Sequence, residues 1–234
     1  MIFVTGDTHG GIDIAKLNSR SFSVGKTLTK QDYVIICGDF GFLWDAGPSD
    51  RYWIKWFDAK PFTTLFIDGN HENFDLLLAY PVQPWNGGKA RIITESVLHL
   101  TRGQVFSLDG TSIFTFGGAH SWDIEGREEG VSWWKQEIPT EAELEEGIKN
   151  LAEHDWTVDF ILTHTCPTEI LPLIHNLTAP KTSSSSLNLY FSELASKATF
   201  SHWFFGHFHM DQRLTDKFTL LFNNVLELPS AHRT

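Results

Sequence analysis

The chain has 234 residues, of which 41% are hydrophobic, and it carries a formal net charge of −11. A chain of this size can bury one large core, and no Pro-rich or Gly-rich linker divides it, so we expect residues 1–234 to form a single domain. The acidic charge disfavours long duplex nucleic acid as a partner, because proteins that bind it present a basic surface to the phosphates.

Cysteine content and hydropathy indicate the cellular compartment. The two cysteines, Cys37 and Cys166, cannot form a disulfide framework and are typical of a reducing environment. Neither a signal peptide nor an apolar stretch of membrane-spanning length is evident. We therefore expect a cytoplasmic protein without a membrane partner.

Apolar runs and turn signals predict the elements in chain order. Buried strands are predicted at residues 2–4, 33–36, 64–67, 160–162 and 203–205. Helical spacing of apolar residues predicts helices at 49–60 and 72–79, and Thr140 followed by Glu143 predicts a capped helix at 140–154. An Asp109-Gly110 turn predicts a hairpin leading into a strand at 112–116. The remaining predictions are a surface loop at 180–186 and further strand within residues 218–228. The pattern favours an α/β fold with two sheets packed face to face and helices outside.

Five polar motifs follow the buried strands. They are Gly6-Asp7-Thr8-His9, Gly38-Asp39, Gly69-Asn70-His71-Glu72, Thr163-His164 and Gly206-His207-Phe208-His209. A polar residue just beyond a buried strand points into the crevice at the edge of the sheet where ligands bind. We therefore expect the motifs to converge, although they are far apart in sequence.

The residue types in these motifs indicate a metal site. Imidazole, carboxylate and amide oxygen suit divalent ions such as Mn, Fe, Zn, Ni or Co, whereas a structural zinc site would use thiolates. The motifs supply enough ligands for two ions. In a binuclear site with the two metals about 3.5–4 Å apart, a bridging water loses its proton near neutral pH and becomes a nucleophile.

The five motifs, in this order, resemble the signature blocks of the calcineurin-like metallophosphoesterases, including small bacterial and phage members. The resemblance spans nearly the whole chain and implies an αββα sandwich made of two mixed sheets with flanking helices. It implies a first metal on Asp7, His9 and His209 and a second on Asn70, His164 and His207, with Asp39 bridging them. Mn is the expected ion. His71 is implied to contact the phosphate and to protonate the leaving oxygen.

The sequence departs from the phosphoprotein phosphatase branch of this family. The residues after Asp39 lack the Asp and Arg that the branch has there, and Asp68 stands before Gly69 in place of an Arg. Protonated His71 would need an acidic neighbour beside the metals, and Asp68, Glu72 and Asp45 are the candidates. A protein phosphatase assignment is correspondingly disfavoured.

Residues 121–127, followed by residues 132–134 in the same polar segment, are the candidate for substrate selection. Arg127 could bind a phosphate bidentately, and Trp122, Trp133 or Trp134 could stack on a base, although neighbouring tryptophans also commonly cover a core. His120 opens the same polar segment.

The expected function is hydrolysis of small phosphodiesters or nucleotides by direct attack of a metal-bridging hydroxide, with His71, Asn70 and Asp39 as the catalytic residues. A general phosphomonoesterase, a protein phosphatase and a non-catalytic scaffold on the same fold remain alternatives. The partner is expected to be a small phosphorylated substrate, and the sequence does not determine the oligomeric state.

Overall fold

The computed structural model describes residues 1–175 and 184–229. Within these residues lie thirteen β-strands and four α-helices. The strands are β1 (Ile2–Thr5), β2 (Tyr33–Cys37), β3 (Thr63–Ile67), β4 (Val82–Trp85), β5 (Gly88–Thr94), β6 (Val97–Leu100), β7 (Gln104–Leu108), β8 (Thr111–Phe116), β9 (Phe160–Thr163), β10 (His202–Phe205), β11 (Gln212–Arg213), β12 (Phe218–Leu220) and β13 (Val225–Glu227). The helices are α1 (Pro48–Asp58), α2 (Phe74–Ala79), α3 (Glu141–Glu153) and α4 (Ser186–Lys197).

The strands form two mixed sheets. The first has seven strands in the order β13-β1-β2-β3-β6-β5-β4, and the second has six in the order β11-β12-β10-β9-β8-β7. Strands β1, β2, β3 and β6 run parallel in the first sheet, as do β12, β10, β9 and β8 in the second. Parallel strands bring their carboxyl ends to one edge, and the five motifs follow β1, β2, β3, β9 and β10.

Three apolar clusters hold the layers together. The cluster between the sheets joins Ile35 and Leu65 of the first sheet to Phe106 and Leu162 of the second. The outer face of the first sheet packs under α1 through side chains such as Phe57, and the outer face of the second packs under α3 and α4. The structure is therefore the expected αββα sandwich with flanking helices. None of the helices described is long and apolar enough to cross a membrane.

Most of the predicted elements are present. The five buried strands form at the predicted places, and Asp109-Gly110 turns β7 into β8. Helix α3 begins with the capping box in which the Thr140 side chain accepts a hydrogen bond from the backbone N–H of Glu143. Helices α1 and α2 are each slightly shorter than predicted. Residues 180–183 of the predicted surface loop lie outside the described residues.

Residues 218–228 supply further strand, as predicted, but in two separate pieces. The segment forms two short strands, β12 in the second sheet and β13 in the first, with Leu221 buried between them. The chain thus crosses from one sheet to the other at this point. Apolar periodicity does not predict such a crossing. Both strands are apolar, and the pattern does not show that each pairs in a different sheet.

A buried ion pair joins the end of β3 to the segment before β7. Arg102, only 6% exposed, donates from Nη2 and Nε to the Asp68 carboxylate at 2.6 and 2.9 Å, and its Nη1 lies 3.3 Å from Glu143 of α3. Burial raises the pKa of Asp68, but Arg102 and His99 outweigh burial and hold it well below its usual range. The pair fixes the segment that leads into Asn70 and His71.

We predict that Arg102→Ala lowers the free energy of unfolding by about 3–5 kcal/mol, because it leaves a buried carboxylate unpaired. Urea denaturation of the metal-free protein measures this change. Arg213→Ala is the control, since Arg213 is exposed and its pair with Asp216 is worth little, within about 0.5 kcal/mol. Equal effects of the two substitutions would contradict the structural role of Arg102.

Candidate metal centre

The polar motifs meet in the crevice at the carboxyl edges of the two sheets. Four of their residues have left-handed backbone, with φ of 42° at His9, 48° at Asp39, 73° at His207 and 53° at His209. Residues other than glycine rarely adopt this conformation, which is typical of strained functional sites. The backbone therefore turns sharply after β1, β2 and β10, and the turns aim the side chains at one another.

The first group consists of Asp7, His9, Asp39 and His209, whose possible ligand atoms all lie within 4.8 Å of one another. His9 Nε2 lies 3.2 Å from Asp39 Oδ2, and His209 Nε2 lies 3.4 Å from Asp7 Oδ2. Both carboxylates are fully buried, whereas 46% of the His209 side chain is exposed. This arrangement of two carboxylates and two imidazoles could hold a divalent ion.

The second group consists of Asn70, His164 and His207 and adjoins the first at Asp39. His164 Nε2 lies 3.2 Å from Asn70 Oδ1 and 3.3 Å from Asp39 Oδ1. The rings of His164 and His207 are 4.9 Å apart, and the backbone N–H of His207 donates to the Asp7 carboxylate. Asp39 therefore touches both groups, with Oδ2 towards His9 and Oδ1 towards His164.

Hydrogen bonds behind the histidines set which ring nitrogen faces the crevice. His164 Nδ1–H donates to the Cys37 carbonyl oxygen at 2.8 Å, and His9 Nδ1–H donates to Asp13 Oδ2 at 2.8 Å. In both residues Nε2 is left towards the carboxylates. Partners of this kind are common behind metal-binding histidines, which they orient and make more basic.

Glycines in the motifs leave space for neighbouring ligands. A Cβ atom at Gly38 would lie 2.0 Å from the His164 ring, one at Gly69 would lie 2.0 Å from Asp39 Oδ1, and one at Gly206 would lie 2.1 Å from Asp7 Oδ1. Each of these glycines precedes one candidate ligand and adjoins another. Because these glycines have no side chain, the candidate ligands can lie close together.

The electrostatics of the crevice fit a cation. Burial lowers the pKa of His9 and His164, but the carboxylates of Asp39 and Asp7 outweigh burial and raise it to about 9 for His9 and to about 10 for His164. Protons thus supply the positive charge that the buried carboxylates require. A divalent ion meets the same requirement, and the oxygen and imidazole donors suit the ions expected from the sequence.

His71 lies beside the first group, and its contacts differ from the expectation. Its backbone N–H donates to Asp39 Oδ1 at 2.8 Å, and its ring centre is 5.7 Å from that of His9. The side-chain contact is with Arg127, whose Nη1 lies 3.3 Å from His71 Nδ1. Burial lowers the pKa of His71, and Arg127 lowers it further against the opposing effect of Asp39. These effects favour the neutral form of His71.

The three acidic residues considered as partners of His71 have other roles. Glu72 accepts hydrogen bonds from the backbone N–H groups of Phe40 and Gly41, and Asp45 accepts from Gly47. Asp68 is engaged with Arg102 and His99. A basic residue in place of the expected acid favours the Nε2–H tautomer of His71, because an arginine N–H can only donate to Nδ1.

The segment proposed for substrate selection does reach the crevice. Arg127 contacts His71, and Trp122 packs on the His207 ring at 4.4 Å between ring centres. Trp122 therefore covers a candidate metal ligand, in addition to any contact with substrate. His120 is exposed, and it is its neighbour Ser121 that contacts Asn70.

Sequence reasoning missed Asp13, Ser121 and Glu137. Asp13 binds His9, Ser121 binds Asn70, and the Glu137 carboxylate accepts from both the backbone N–H and the hydroxyl of Ser121. Asp13 lies four residues after His9, which is a usable local signal. Ser121 and Glu137 lie far from Asn70 in sequence, and neither belongs to one of the five motifs.

A match to a protein-family model agrees with this geometry. The family model described as calcineurin-like phosphoesterase matches residues 1–211. Among solved structures, the chain is similar to the phosphopantetheinyl hydrolase PptH from Mycobacterium tuberculosis, with a TM-score of 0.48, 14% identity, and coverage of 94% of this chain and 86% of that chain. No curated protein matches the sequence. The chain belongs to the calcineurin-like phosphoesterase family and is a metal-dependent phosphoester hydrolase.

Proposed function

We propose that the enzyme hydrolyses small phosphodiesters or nucleotides with two divalent ions, Mn being the expected metal. Asp7, His9 and His209 would hold one ion, and Asn70, His164 and His207 the other, with Asp39 shared between them. The shared position of Asp39, in reach of both groups, is the observation that carries this proposal. When bound, such ions make water nucleophilic near neutral pH and neutralise charge on the phosphate.

His71 is proposed as the group that donates a proton to the leaving oxygen. With Nδ1 occupied by Arg127, a neutral His71 carries its proton on Nε2. A neutral imidazole can donate a hydrogen bond from Nε2–H to developing negative charge, and transfer of that proton to a leaving alkoxide would leave an imidazolate that water reprotonates. Arg127 adds positive charge on the same side and fixes the tautomer.

The charge near His71 favours a diester over a monoester. Arg127 is also paired with Asp123, so part of its charge is already neutralised. A diester carries one negative charge where a monoester dianion carries nearly two, and therefore demands less compensation. We infer that one partly neutralised arginine suits a diester.

Apolar side chains near the first group suit an organic ester substituent. Ile12, three residues after His9, is 81% exposed. The Trp53 ring packs against Gly11, and Tyr52, 60% exposed, meets Trp53 edge-on at 5.1 Å. Aromatic faces of this kind can stack on a nucleobase.

Binding of metal should release protons. Because His9 and His164 are protonated in the metal-free enzyme at neutral pH and must lose those protons to bind a cation, affinity for Mn²⁺ should rise with pH. We expect the dissociation constant to fall by about tenfold per pH unit for each proton released, between pH 6 and 9. Calorimetry in buffers of different ionisation enthalpy measures both quantities. An affinity independent of pH would contradict this account.

Substrate class can be tested on matched chromogenic esters. We expect kcat/KM for bis-nitrophenyl phosphate to exceed that for nitrophenyl phosphate by about tenfold, or ~1.4 kcal/mol of activation free energy, with Mn²⁺ present. A panel of nucleotides run in parallel identifies the organic group. Asp39→Asn should abolish both activities and reduce the number of bound ions, whereas Asp155→Asn at an exposed turn should not. A preference for the monoester would support a general phosphomonoesterase, and a metal-free, inactive wild type would support a scaffold.

The role of His71 can be separated from that of the metal ligands. His71→Ala should slow hydrolysis of an alkyl ester by roughly 10²–10⁴-fold, because an alkoxide needs a proton to leave. A nitrophenyl ester, whose leaving group needs none, should lose much less. His154→Ala at an exposed helix end is the control. Equal losses on the two esters would show that His71 is not the proton donor.

A further inference from the structure

One loop contacts two of the candidate ligands of the second ion. This loop, residues 117–137, is called the covering loop below. Its Ser121 contacts Asn70, and its Trp122 packs on His207. The contacts given for the first group do not involve the covering loop in this way. Asp7, His9 and Asp39 directly follow β1 and β2, and Asp13 supports His9.

A buried chain of hydrogen bonds runs from the covering loop to Asn70. Asn70 Nδ2 donates to Ser121 Oγ at 3.0 Å, and the Ser121 hydroxyl donates to Glu137 Oε2 at 2.7 Å. The backbone N–H of Ser121 donates to Glu137 Oε1 at 2.8 Å. Asn70 is 5% exposed, and Ser121 and Glu137 are each 1% exposed. The groups are therefore shielded from water that could replace a lost partner.

The chain has a fixed direction. An ionised carboxylate only accepts hydrogen bonds, so the single proton of the Ser121 hydroxyl goes to Glu137. Ser121 Oγ is then left as an acceptor, and the part of the Asn70 amide that faces it must be the NH₂ group. The amide oxygen is consequently turned the other way, towards His164 Nε2 at 3.2 Å.

The orientation of this amide decides whether Asn70 can bind a cation. The amide oxygen has lone pairs for a metal ion, whereas the NH₂ group has only hydrogens to present. The two faces of an amide have nearly the same shape, so packing alone discriminates poorly between them. The hydrogen-bond partner of the NH₂ group therefore selects the face that points to the metal site.

We propose that Ser121 and Glu137 are positioning residues that hold the Asn70 amide oxygen towards the second ion, so that this ion binds tightly only when the covering loop is in place. The inference rests on the proposed two-ion function. Trp122 extends this role of the covering loop to a second ligand, because it packs on the His207 ring. Arg102 connects the end of the loop to the core, because its Nη2 donates to the Gln136 carbonyl oxygen at 2.8 Å.

Two substitutions of different chemistry test the proposal. Ser121→Ala removes the acceptor for the Asn70 NH₂ group. Glu137→Gln is nearly isosteric, but an amide nitrogen at the Oε2 position would donate to Ser121 Oγ and turn its proton towards Asn70, which favours the reversed amide. Ser132→Ala is the matched control: its side chain accepts a hydrogen bond from the Glu128 backbone within the same loop.

The measurement is calorimetric titration of each metal-free protein with Mn²⁺, together with electron paramagnetic resonance of the loaded protein. We expect wild type and Ser132→Ala to bind two ions and to give the signal of a spin-coupled pair. Both test variants should keep the first ion with unchanged affinity and bind the second about 10–100-fold more weakly, giving the signal of an isolated Mn²⁺. Unchanged affinity for the first ion also reports that each variant is folded.

Three outcomes overturn the inference in distinguishable ways. If wild type binds two ions and both variants hold them as tightly, the positioning role is wrong while the two-ion function stands. A uniform loss of affinity at both sites in the variants would likewise contradict a role confined to Asn70. If wild type binds fewer than two ions, the proposed function fails, and the inference fails with it.

Discussion

Two fully buried carboxylates, Asp7 and Asp39, impose the main constraint on this molecule. Removing an ionised carboxylate from water costs several kcal/mol unless positive charge or hydrogen-bond donors replace the water. Backbone N–H groups of His207 and His71 supply part of this compensation, and histidines supply the rest. These buried carboxylates therefore require positive charge at the point where the five distant loop ends meet. A divalent cation supplies that charge best.

The surrounding fold accommodates this crowding. Four candidate ligands adopt left-handed backbone, at a cost of about 1–3 kcal/mol each, and glycines stand where any side chain would collide with a ligand. The two packed sheets are rigid enough to hold such strain, because the strands that precede the motifs are almost entirely buried. The first group of ligands belongs to this rigid frame, whereas the second is completed by contacts from the covering loop.

Local sequence patterns predicted the elements and the candidate ligands, but not the contacts that orient those ligands. Residues 2–4 and 33–36 form strands as predicted, because a continuous apolar run can be identified without knowing which strands it pairs with. The partner of His71 could not be predicted, because Arg127 is brought to it only by tertiary folding. The crossing between sheets at residues 218–228 and the Ser121–Glu137 pair were missed for the same reason.

The most direct test of the two-ion centre is anomalous X-ray diffraction from crystals grown with Mn²⁺. The account predicts two peaks per chain. One should lie among Asp7, His9, Asp39 and His209, and the other among Asp39, Asn70, His164 and His207. A single peak, or peaks away from these side chains, would contradict the assignment of Asp39 as the residue shared by two ions.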